Sequence, residues 1–138
     1  VFYHNEMYFL LTSGCTGWKP NQAEVFVAES MLGPWNSLGD PTRGGSKDLR
    51  ESTFESQASF VLPLPGMPGR MIMLADRWNE HNLSDSRYVW LPVWVQETKF
   101  SAFTAAMSKR EKMLWTSVVV GWFDSWNIPM LNRFPGII

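Results

Sequence analysis

Apolar and polar positions along this chain fall into short runs and show no helical period over the first 95 residues. Val1 to His4 and Met7 to Ser13 are β-rich runs separated only by Asn5-Glu6, which predicts a tight hairpin. Residues 14–23 hold two glycines and a proline, a loop composition. Glu24 to Glu29 predicts a strand, followed by Gly33-Pro34-Trp35 and a polar, glycine-rich stretch from Asn36 to Glu55. Gln57 to Leu62 predicts the next strand, ended by Pro63, and Pro65-Gly66 with Pro68-Gly69 marks a turn. Arg70 to Ala75 is nearly continuously apolar, as a strand buried on both faces would be. Asp76 to Ser86 is polar. Tyr88 to Val95 is apolar again, and Pro92 assigns it to a sheet edge or a bulge. About six short strands predict an all-β fold: a sandwich, a barrel or a propeller.

The pattern changes after residue 95. Ala105-Ala-Met-Ser-Lys-Arg-Glu-Lys-Met-Leu114 is built of good helix formers with a modest apolar face, which predicts a helix within 102–115. Val118-Val119-Val120 and Trp122-Phe-Asp-Ser-Trp126 follow.

Composition narrows the classes of function. Lys plus Arg is 12 and Asp plus Glu is 13 in 138 residues, so nothing draws the chain to nucleic acid or an anionic membrane. Aromatics are 14%, with 8 Trp, which argues for an ordered, packed chain and also suits sugar binding, because a pyranose lays its C–H face on an indole. The lone Cys15 excludes an internal disulfide and a multi-cysteine zinc site, and His4 and His81 offer no metal-ligand spacing. No apolar run reaches the roughly 18 residues of a membrane span. The longest, Leu114 to Phe123, is interrupted by Thr116, Ser117 and Gly121. The chain starts at Val1 without a signal-peptide pattern.

A set of boxes then appears in fixed order. These are Ser13-Gly14-Cys15-Thr16-Gly17-Trp18, Pro20-Asn21-Gln22-Ala23, Ala28-Glu29-Ser30 with Gly33-Pro34-Trp35, Ser56-Gln57 with Phe60-Val61, Asp76-Arg77-Trp78-Asn79, and Asp85-Ser86-Arg87-Tyr88-Val89-Trp90-Leu91-Pro92. Over about residues 1–95, with a second short stretch at Trp122 to Ile128, the chain resembles glycoside hydrolase family 43, in the branch of galactan and arabinogalactan exo-β-1,3-galactosidases. The resemblance implies a partial five-bladed β-propeller of about two blades, with a helical or irregular C-terminal segment. Residues 1–95 would be the propeller part, and 96–138 a diverged last-blade segment, an insertion or a mis-spliced translation.

The resemblance also implies inverting hydrolysis of an O-glycosyl bond in a β-galactan or arabinogalactan. One carboxylic acid protonates the leaving oxygen and a base about 6.5–9.5 Å away activates water. It places the general acid upstream of Val1, so this C-terminal fragment alone is expected to be inactive. The alternative is a non-catalytic carbohydrate-binding or degenerate propeller. The implied partners are a polysaccharide or oligosaccharide and the remainder of the propeller, and the implied location is extracellular or in the secretory pathway. No cofactor is expected. A channel calcium occurs in some relatives, but no residue pattern here supports one.

Five residues are candidate sugar contacts. The resemblance puts Thr16 and Trp18 in the site as a hydroxyl donor and an indole wall; otherwise they are a loop residue and a packed aromatic. Gln57 can donate and accept, and so orient a sugar hydroxyl or the attacking water; its bland role is to cap a strand end. Asp76 closes an apolar strand and must be paired or solvated, and Arg77 is its expected bidentate partner; the alternative is a structural ion pair between blades. The same weighing assigns Asp85, Arg87 and Tyr88 to structure. Asn82-Leu83-Ser84 matches a glycosylation acceptor pattern, and Lys109-Arg110-Glu111-Lys112 is a solvated helix face.

Overall fold

A computed structural model of the protein describes residues 1–97 and 107–133. Two antiparallel sheets dominate it. The first is a meander of β1 (Phe2–His4), β2 (Met7–Ser13), β3 (Ala23–Ala28) and β4 (Asn36–Gly39). The second has β6 (Gln57–Pro63), β7 (Arg70–Arg77), β8 (Arg87–Glu97) and β9 (Thr116–Gly121), with β5 (Thr42–Arg43) parallel to β9 at its outer edge. Two short helices, α1 (Lys47–Glu51) and α2 (Lys109–Leu114), and two 3-10 turns complete the described elements. Neither sheet closes on itself.

Alternation along the strands explains the core. Met7 and Phe9, Val25 and Val27, Met71, Met73 and Ala75, Leu91, Val93 and Val95, and Val118 and Val120 all point into one shared interior between the sheets. Phe2 stacks on Phe9 at 5.1 Å and 11°. The second sheet is also buried on its reverse side over Trp94 and Val119, where Leu131, Phe123 and Trp126 fold back onto it. Burial on both faces matches the unbroken apolar run of β7.

The hairpin expected at Asn5-Glu6 is present, with both residues left-handed at φ 47° and 61°, as a type I′ turn requires. The strand count differs from expectation: residues 1–97 hold eight strands, and α1 as well. The additional strands β4 and β5 are short and polar, and α1 is a single turn with no buried residue, so none of them shows a period. β8 is not an edge strand, because it lies between β7 and β9. Pro92 is tolerated because β9 begins pairing only at Val93, one residue later. The helix expected within 102–115 is α2 at Lys109–Leu114, capped by a reciprocal Ser108–Glu111 box; residues 98–106 lie outside the described part. Among the described residues no helix is long and apolar enough to cross a membrane.

Candidate functional site

Strand direction brings three connections to one end of the two sheets. Ser13 pairs with Ala23 across the mouth of loop 14–22. Gln57 pairs with Asp76, and Asp76 with Tyr88, at the start of β6, the end of β7 and the start of β8. All five candidate residues lie at this end.

Loop 14–22 is held by its own polar groups. The Gly14 N–H donates to Asn21 Oδ1 at 2.7 Å, and Asn21 Nδ2 donates to the Gly14 carbonyl and to Thr16 Oγ1, each at 2.6 Å. Thr16 Oγ1 in turn donates to the Lys19 carbonyl at 2.5 Å. The Thr16 hydroxyl is thus oriented by the loop, while one acceptor lone pair is left over. The loop is fixed to the second sheet by Gln57 Nε2, which donates to the Gly17 carbonyl at 2.8 Å, and by Thr53 Oγ1, which donates to the Asn21 carbonyl at 2.6 Å. The other N–H and the carbonyl oxygen of the Gln57 amide have no partner among the described residues. Gln57 lines a half-polar cleft of about 120 Å³ with Ser13, Thr53 and Ser56.

Trp18 leaves the loop to meet Trp78 edge-to-face, with ring centroids 5.1 Å apart. Both indoles are more than two-fifths exposed, at 46% and 41%. An aromatic pair with that much free ring leaves apolar surface open at this end of the sheets. Trp78 is not among the five candidates, although it stands next to Arg77 in the Asp-Arg-Trp box.

The Asp76–Arg77 ion pair expected from the sequence does not form. Neighbouring strand residues point to opposite faces. Asp76 instead accepts a hydrogen bond from Ser59 Oγ across the sheet. Arg77 Nη2 donates to the Phe54 carbonyl at 2.7 Å, and its guanidinium lies 5.4 Å over the Trp122 ring. Trp122 is 45 residues further along the chain than Arg77, and no local pattern links the two. Asp85 and Arg87 form an exposed ion pair with each other. No group of three or more His, Cys, Asp or Glu able to hold a metal occurs among the described residues.

No family model matches the chain, and no curated protein matches it. Solved structures do. A family 43 β-1,3-galactosidase solved with galactodeoxynojirimycin shares 35% identity over 92% of this chain, at a TM-score of 0.69. The chain resembles family 43 glycoside hydrolases in both sequence and fold. A second β-1,3-galactosidase of family 43 shares 30% identity over 95% of the chain, at a TM-score of 0.72. An exo-β-1,3-galactanase from Phanerochaete chrysosporium, solved with β-1,3-galactotriose, shares 38% identity over 66%, at a TM-score of 0.56. The chain spans 31%, 23% and 19% of these three family 43 chains, so it corresponds to a part of each.

Proposed function

We propose that the chain is the portion of an inverting family 43 hydrolase that supplies one wall of a β-1,3-galactan site. Each meander would be one blade of a five-bladed propeller, and residues 96–138 would hold the last strand and the cover of the second blade. Gln57 and Thr16 would contact the sugar at the catalytic end, and Trp18 with Trp78 would carry its apolar face. The general acid would come from outside residues 1–138, and the assembled protein would act on polysaccharide outside the cell or in the secretory pathway.

The convergence of Thr16, Trp18 and Gln57 through the Gly17 carbonyl carries this reading. Two further observations support it. Structures similar to this chain were solved with galactodeoxynojirimycin and β-1,3-galactotriose. Phe60, Leu62, Tyr88 and Trp90 stand exposed on the side of the second sheet turned away from the shared core, a face suited to the remainder of a propeller.

The test is calorimetric titration of the 138-residue chain with β-1,3-galactobiose, alongside an assay for released galactose. Binding without release is the expected result. A folded sample that binds no galactobiose would overturn the proposal. The non-catalytic alternative draws on the same exposed Trp18–Trp78 pair. It predicts binding without hydrolysis even after the chain is extended to the full propeller.

A further inference from the structure

Thr53, Phe54 and Glu55 hold φ angles of 49°, 58° and 57°, immediately before Ser56 and Gln57. Three successive L-residues in the left-handed region are costly and persist only where the surroundings fix them. Here the fixing is dense. The Phe54 N–H donates to the Leu49 carbonyl at 2.5 Å, the Glu55 N–H to Ser52 Oγ at 3.1 Å, and Ser56 Oγ to the Thr53 carbonyl at 2.6 Å. These bonds are local and hold the turn's shape.

Three contacts place the turn: the Phe54 ring is buried in the shared core, Thr53 Oγ1 donates to the Asn21 carbonyl, and Arg77 reaches from the end of β7 to the Phe54 carbonyl. Arg77 is itself braced from outside the turn. Its guanidinium lies on Trp122, and the Phe54 ring stacks on the same indole at 5.4 Å and 28°. Trp122 is seated against two glycines: a Cβ on Gly44 would stand 2.8 Å from the Trp122 carbonyl, and one on Gly45 would stand 3.5 Å from its ring. Arg77 Nε is buried with no hydrogen-bond partner among the described residues. Arg77 as a whole is half-buried, and a side chain with one buried, unpaired N–H is a poor way to stabilise a strand end, where an apolar side chain would serve as well. Its planar fork is suited to holding one carbonyl in one place.

We propose that Arg77, stacked on Trp122, is a positioning residue. It locks the left-handed turn Thr53–Glu55 and thereby aims the Gln57 amide at Gly17 and the cleft. The sugar part of this inference rests on the proposed role of Gln57; the positioning part does not. Trp122, which opens the short second stretch of the sequence resemblance near the end of the chain, then becomes a working part of the site.

The experiment follows the side-chain amide signal of Gln57 by ¹⁵N-edited NMR in the whole chain, with β-1,3-galactobiose affinity and the thermal midpoint measured in parallel. Arg77→Lys and Trp122→Leu are expected to move the Gln57 amide signal and to weaken galactobiose about tenfold or more, the scale set by a small misplacement of a site group. Trp122→Phe, which keeps a ring under the guanidinium, is expected to retain both properties even if its midpoint falls. Arg77→Lys with an unmoved Gln57 signal and parental affinity would overturn the proposal, whatever its midpoint. If Trp122→Leu does not fold, Arg77→Lys and Trp122→Phe carry the test. If the parent binds no galactobiose, the proposed function fails, while the Gln57 signal still decides the positioning role.

Discussion

Gln57 donates its side-chain N–H to the Gly17 carbonyl across 40 residues of sequence, tying the start of β6 to the loop between β2 and β3. The bond joins the two sheets at the end where Trp18 and Trp78 also meet. Gln57→Ala is therefore expected to lower stability by about 0.5–1.5 kcal/mol, the usual net worth of one such bond. Gln57→Glu should cost at least as much at neutral pH, because a carboxylate would then face a carbonyl oxygen. Urea denaturation of the two variants checks both expectations; equal stability of all three proteins would contradict the role given to the bond.

The Trp18–Trp78 contact is exposed, so its loss should affect ligand more than fold. Trp78→Ala is expected to destabilise by about 1 kcal/mol, near the range measured for isolated aromatic pairs. The same change should abolish most of the tryptophan fluorescence response to β-1,3-galactobiose. A full response from Trp78→Ala would remove this indole from the sugar wall.

Phe9 is fully buried and stacked on Phe2, whereas Leu32 is 95% exposed. Phe9→Ala should cost about 3–5 kcal/mol through lost transfer energy and a cavity. Leu32→Ser should change stability by no more than about 0.5 kcal/mol. Thermal unfolding of the pair tests whether the two sheets share a single interior, since a first sheet that packed weakly would show a much smaller loss for Phe9→Ala.

Gly66 and Gly69 have similar angles, φ 74° and 70°, but different surroundings. Nothing lies within 4 Å of a Cβ on Gly66, while one on Gly69 would be 2.6 Å from the Val95 carbonyl oxygen. Gly66→Ala pays only backbone strain, about 1 kcal/mol. Gly69→Ala adds a clash with β8 and should cost at least twice as much, as read from urea midpoints.

Glu111 gives a pH dependence with a definite sign. Hydrogen bonds from the Ser108 side chain, and then from its backbone N–H, hold the Glu111 carboxyl below the usual value for glutamate. The folded value is lower than the unfolded one, so the capping contribution is complete above the ordinary glutamate range. It is lost as pH falls through the depressed value. Stability of Ser108→Ala relative to the parent should therefore show a deficit at neutral pH that narrows in acid. A deficit that stays constant down to pH 3 would mean that the box does not act through ionised Glu111.

Some of this was plain along the chain. The hairpin at Asn5-Glu6 and the strands at 23–28, 57–63 and 70–77 follow from alternation and turn residues, because local sterics fix where such runs begin and end. β4, β5 and α1 were hidden because two to five residues without an apolar period leave no signal, and their partners are supplied from elsewhere in the chain. The cap on α2 could have been found, since Ser108-Lys-Arg-Glu111 spells it.

For the candidate site, the resemblance to family 43 pointed to Thr16, Trp18, Gln57, Asp76 and Arg77, since each sits in one of the short boxes that carry it. Only the tertiary structure decided what each touches. Asp76 and Arg77 are adjacent in sequence yet point to opposite faces of β7, so the expected pair is replaced by Ser59 on one side and by Phe54 and Trp122 on the other. The reason is that a strand's pleat separates neighbours, and only the packing of distant segments supplies the partners on each face.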